Sequence, residues 1–196
     1  MNEGYKMTAR KAVEKELTRE MIMDAARSLF VKKGYEHVSM RQIARELGYS
    51  HGAIYYHFKN KAELFYALVE LHFEMLDERL EEIVRKELPD FEKLRLILLG
   101  FIEFGLTHQS HYEIMFLIKD EEIRNFINEG PNKTYQNFAN YVAMFSERKL
   151  TVRQVWSIFL SLHGFVTHYL RHVPNFSDVR SMAEVHVDLL LKNTRK

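Results

Sequence analysis

The chain has 196 residues, enough to bury a real core in one or two domains, and its 28 Lys/Arg against 27 Asp/Glu leave a net charge of +1. It contains no cysteine, which excludes disulfides and thiolate metal sites and fits a reducing cytoplasm. The first twenty residues are polar and charged, so no signal peptide is expected. The longest apolar run, Leu96–Ile102, is too short to span a bilayer.

The near-neutral total hides an asymmetry. Residues 1–62 hold 12 Lys/Arg against 7 Asp/Glu, whereas residues 63–196 hold 16 against 20. In chain order, the basic part opens with Lys6, Arg10, Lys11, Lys15 and Arg19. They read equally as an arm able to reach phosphates or a minor groove, or as a solvated terminus. A first helix is predicted over 19–33, with Ile22, Ala25, Ala26, Leu29 and Phe30 inward and Gly34 as its stop. Ser39 and Gln42 form a capping-box pattern for a two-turn helix whose apolar face is Met40, Ile43, Ala44 and Leu47. Gly48 supplies a left-handed stop, and Ser50 caps the next helix only three residues after Leu47. Two such short helices, sharply bent, suit DNA, where the second enters the major groove while the first holds it.

On residues 51–58, Ile54 and Phe58 point inward. Gly52 and Tyr56, flanked by Ala53, Tyr55 and His57, point outward. This outward face has no acidic side chain, as a polyanion requires. A bare glycine allows close approach, and the tyrosines can touch thymine methyls or base edges. His51 and His57 add hydrogen-bonding tips. Asn60 caps a further helix that begins at Lys61, whose free amides and positive charge suit a phosphate.

That helix is predicted to run from Lys61 to about Lys86. Others follow over about 90–108, 111–119, 120–129 and 131–148. The chain is therefore expected to be all-α. Residues 152–172 are apolar on more than one face, and about 178–193 carry a stripe of Met182, Val185, Leu189 and Leu190. Both predict a homodimer through these two C-terminal helices, with two groove helices about one DNA turn (~34 Å) apart on a pseudopalindromic operator. Between them, Phe101, Phe104, Tyr112, Met115, Phe116, Phe138, Tyr141, Phe145, Trp156, Phe159 and His163 are candidates for a common interior. They would serve as plain core or as the lining of a pocket for a small hydrophobic or aromatic effector.

At this point the sequence resembles the DNA-binding domain of the TetR (tetracycline repressor) family. The matching residues are Thr18-Arg19-Glu20, Ala25-Ala26, Leu29-Phe30 and Lys33-Gly34-Tyr35. They continue with Ser39, Ile43-Ala44, Leu47-Gly48, Ser50, Gly52, Ile54-Tyr55-Tyr56-His57-Phe58, Lys59-Asn60-Lys61 and Leu64. Tyr49 departs from the family's usual small aliphatic residue. The resemblance implies a cytoplasmic, homodimeric transcription factor, most often a repressor released from a double-stranded operator by a small molecule. It implies base contacts from His51, Gly52, Tyr55 and Tyr56, and phosphate contacts from Ser39, His57 and Lys61. The expected organisation is an arm over 1–17, the helix-turn-helix domain over 18–64, and an effector-binding and dimerisation domain over 65–196. Within that pocket the residues singled out are Phe101, Phe104, Tyr112, Met115, Phe116, Tyr141, Trp156, Phe159 and His163.

Enzymatic and metal chemistries fare poorly. Gly48-Tyr49-Ser50-His51-Gly52 fits the hydrolase elbow, but a helix rather than a strand precedes it. His168 and His172 lie four apart without a third ligand, and no Glu-x-x-His pair, Walker loop or dinucleotide fingerprint occurs. No cofactor, metal or catalytic residue is expected. A DNA-binding protein without an effector, and a helical enzyme using the central cavity, are the alternatives.

Overall fold

The computed structural model describes residues 16–118, 130–147, 150–192 and 194, and every regular element among them is helical. Helix α1 (Arg19–Lys33) starts at Thr18, whose hydroxyl accepts from the Met21 amide. It buries Ile22, Ala26, Leu29 and Phe30, while Ala25 is only half-buried. Helix α2 (Met40–Leu47) packs on α1, and α3 (His51–His57) packs on α2. Phe30, Tyr35 and Phe65 meet at centroid distances of 5.0–5.5 Å, edge-on or tilted, and fasten this unit to helix α4 (Lys61–Val84).

At 24 residues α4 is about 36 Å long, and no loop separates the three-helix unit from the body it enters. There α4 packs on α5 (Asp90–Thr107), α6 (Gln109–Phe116) and α7 (Gly130–Phe145). Helix α5 is the axis of the body. It buries apolar side chains along its whole length and touches α4, α6, α7, α8 (Val152–Tyr169) and α9 (Arg180–Leu191). Among the described residues no helix is long and apolar enough to cross a membrane.

The boundaries depart from the sequence expectation where side chains intervene. Helix α6 begins at Gln109 rather than 111, directly after the break at His108. Helix α8 ends at Tyr169, three residues early, because Arg171 takes a left-handed conformation (φ 61°). A 3₁₀ turn, Phe176–Val179, precedes α9. The helix expected over 120–129 lies outside the described residues, as do Lys6, Arg10, Lys11 and Lys15 of the basic arm. Arg19 is not part of a free arm. Its guanidinium lies 4.0 Å above the Phe58 ring and donates to the His57 carbonyl at the end of α3.

Candidate nucleic-acid interface and aromatic interior

The turn between α2 and α3 is built by short-range hydrogen bonds. Ser39 and Gln42 close the capping box in both directions: the Gln42 amide donates to Ser39 Oγ, and the Ser39 amide donates to Gln42 Oε1. Gly48 adopts φ 75°, ψ 18°, a left-handed stop that a residue with a Cβ disfavours. Tyr49 follows, half-buried and packed against the core, so the residue that departs from the family pattern fills space rather than altering the turn. Ser50 Oγ then accepts from the Ala53 amide and starts α3.

Helix α3 has two unlike faces. Ile54 inside it and Phe58 at its end are fully buried. Opposite them Tyr56 is 88% exposed and Tyr55 is 42% exposed, and both are large apolar side chains that burial would favour. His51 stands edge-on to Tyr55 at 4.5 Å, and Tyr56 edge-on to His57 at 5.4 Å. These contacts order the rings without covering them. His51, Gly52 and Ser39 are exposed, and a Cβ at Gly52 would meet nothing within 4 Å. The open backbone there serves no internal packing need.

Lys61 behaves differently from expectation. Its Nζ donates to the Tyr35 carbonyl at 3.0 Å and sits 3.9 Å above the Tyr35 ring, so its charge is directed into the domain. Nearby, Asn60 caps α4 through the Glu63 amide, and the Glu63 carboxylate accepts from the Lys59 amide. Arg41 and Arg45 on α2 are exposed.

The expected interior divides. Phe101, Phe116, Phe138 and Phe159 converge with centroids 5.6–6.2 Å apart and surround a void of about 20 Å³. That volume holds one water at most. Tyr112 is buried and bonds His163 Nδ1 at 2.5 Å, Phe145 is buried, and Trp156 lies at the surface, 45% exposed. Phe104 packs on His108 and lines a separate groove, while Met115 is buried and Tyr141 half-buried, and neither lines the void. Phe73, Leu76, Thr134 and Tyr135 do line it. Sequence reasoning passed them over because α4 and α7 meet only in the folded chain. His168 and His172 stack at 6.4 Å, and no group of three or more metal-ligating side chains occurs among the described residues.

A family model described as bacterial regulatory proteins, tetR family, matches residues 22–68. The HTH-type transcriptional regulator AcrR of Shigella flexneri is 35% identical over 106 residues, covering 54% of this chain and 49% of that protein. The nucleoid occlusion factor SlmA of Vibrio vulnificus (strain YJ016) is 33% identical over 118 residues, covering 57% and 59%. The chain thus spans about half the length of these curated relatives. A solved structure of the fatty acid degradation regulator FadR from Bacillus halodurans superposes with a TM-score of 0.77. At 20% identity it covers 93% of this chain and 98% of that one, and the likeness extends the fold to the body.

Proposed function

The chain belongs to the TetR family of bacterial regulatory proteins, and on that footing we propose that it is a cytoplasmic, homodimeric transcriptional repressor that binds a pseudopalindromic operator. The observation that carries this is the exposed ring of Tyr56 on a seven-residue helix whose opposite side is fully buried. His51, Gly52, Tyr55 and Tyr56 read base edges, and Ser39 and His57 meet phosphates. At Lys61 the backbone amide at the α4 N-terminus is the phosphate donor, since the ammonium is engaged by Tyr35.

The dimer forms through α8 and α9. Val152, Trp156 and Leu160 on the first, with Met182, Val185 and Leu189 on the second, are all at least 45% exposed. Side chains of this kind form such a stripe when a symmetric partner covers them. A small hydrophobic or aromatic effector enters the aromatic interior and releases the operator.

The test is a gel shift on DNA flanking the coding region, with oligomeric state measured in parallel. Tyr56→Ala should remain a dimer and lose roughly tenfold to a hundredfold in affinity, the span of one good base contact. Affinity should also fall steeply with added salt, through counterion release. A Tyr56→Ala protein that shifts the same DNA as tightly as the wild type would remove α3 from the interface.

A further inference from the structure

Helix α3 is fastened differently at its two ends. At its start the left-handed Gly48 and the Ser50 cap join it to α2, the helix it packs on. Its far end has no such turn. His57 is the last residue of α3, and the last carbonyls of a helix find no partner within it. Phe58 then departs in an extended conformation, φ −139° and ψ 122°. Seven residues are about two turns, too short a helix to hold its form without tertiary support.

Arg19 reaches that end from across the domain. It is the first residue of α1, 38 positions before His57 in the chain, and its Nη1 donates to the His57 carbonyl. Its guanidinium also lies 4.0 Å from the centre of the fully buried Phe58 ring. One side chain thus grips the last carbonyl of α3 and the residue that ends the helix. The placement is unfavourable for α1, because a cation opposes the positive end of a helix dipole, and favourable for α3, where it faces the negative end. Lys61 uses its charge in the same way, on the carbonyl and the ring of Tyr35. In a unit whose reader faces a polyanion, two cations are thus turned onto protein carbonyls and rings.

The exposed rings of Tyr55 and Tyr56 stand in the last turn of α3, beside the gripped carbonyl. If α3 pivots on the Gly48 turn, these two rings travel farthest, and His51 and Gly52 hardly move. We propose that Arg19 is a positioning residue for DNA recognition, which sets the angle at which α3 presents Tyr55 and Tyr56 to the groove. The inference rests on the operator binding proposed above.

Fluorescence anisotropy with the full chain tests it, using a labelled operator duplex and a scrambled duplex of equal length and composition over a range of salt. Arg19→Met keeps the length of the side chain without its charge or donors, and Arg19→Lys keeps a cation and an N–H. Arg19→Met should bind the operator about tenfold more weakly, the worth of one base contact. Its affinity for the scrambled duplex should stay within about twofold and its salt slope unchanged, since no phosphate contact is lost. Arg19→Lys should recover most of the difference. Without DNA, amide exchange in α3 of Arg19→Met should quicken severalfold relative to α2. Equal weakening on both duplexes, with a salt slope reduced by about one, would make Arg19 a phosphate contact and overturn the inference. A lower melting temperature with an unchanged ratio of the two affinities would reduce its role to stability and overturn it as well. A wild type that binds both duplexes alike refutes the regulator itself, whereas an operator preference indifferent to Arg19 refutes the positioning role alone.

Discussion

His72 is an imidazole sealed inside the protein, with no exposed surface and, among the described residues, no hydrogen-bond partner for either ring nitrogen. His111 crosses it edge-on at 4.1 Å and accepts a bond from Arg27 through Nε2, with its own Nδ1 buried and without a partner among the described residues. Burial, reinforced by His111, Arg27 and His108, lowers the His72 pKa to about 3. Burial, with Arg27 and His108, lowers that of His111 to about 4. In the unfolded chain both titrate near 6.5, so below that pH the unfolded state takes up protons that the folded state refuses. Stability is full above about pH 6.5 and falls as pH drops toward the folded values. His72 alone withdraws about 2 kcal/mol between pH 7 and pH 5. His72→Leu removes both the titration and the unpartnered nitrogens. Thermal melts should show the loss at pH 5 shrinking markedly while stability at pH 7.5 changes little, and an unchanged pH dependence would exonerate this residue. Nothing in the sequence marks His72, which lies in an ordinary amphipathic run. Tyr55 and Tyr56 were legible because a seven-residue helix with Ile54 and Phe58 inside leaves them only one direction. Lys61 and Arg19 were not, since their partners lie 26 and 38 residues away.

At the scale of the element, α6 is the joint of the molecule. His111 is bonded by Arg27 of α1, Tyr112 bonds His163 of α8, and Glu113 receives a bidentate pair from Arg171 just beyond α8. Gln109 accepts from the Arg171 amide and donates to the Val173 carbonyl, and Arg171 also donates to the Val31 carbonyl near the end of α1. An arginine thus occupies a left-handed position that usually selects glycine, and its side chain ties the end of α8 to the three-helix unit. Replacement by glycine keeps the backbone comfortable and removes only the tie. Replacement by alanine removes the tie and keeps the strain. Arg171→Gly should therefore be more stable than Arg171→Ala by about 1 kcal/mol. In Arg171→Gly, hydrogen exchange in the last turn of α1 should quicken severalfold relative to the rest of that helix. Equal melting of the two variants, or unaltered exchange in α1, would show that the tie holds nothing. The helices themselves were readable from capping residues and apolar spacing. The early end of α8 was not, because it depends on Glu113 and Gln109, some sixty residues earlier in the chain.

For the whole molecule the decisive surface is the one a single chain leaves open. Trp156, Leu160, Gly164 and His168 follow one another at four-residue steps on α8, and Met182, Val185 and Leu189 border an apolar groove of about 310 Å³ beside them. The pattern of large apolar residues made this face legible in the sequence. The division of the aromatic residues between void, rim and separate groove was not, because it is decided by how α4, α5, α7 and α8 pack. Gly164 tests the face most sharply. It is exposed, and a Cβ added there meets no atom within 4 Å, so the chain alone has no steric use for a glycine at this place. In a helix interior glycine costs about 1 kcal/mol relative to alanine, and two helices that cross closely are a reason to bear that cost. Gly164→Leu should raise the helical stability of the isolated chain while blocking the approach of the partner's α8. Sedimentation should then show a shift from dimer toward monomer, with operator affinity falling in step because each half-site is met by an unlinked reader. If the leucine variant sediments as the wild type does and shifts DNA equally well, the proposed dimer does not form through this face, and the spacing of two α3 helices could not be derived from it.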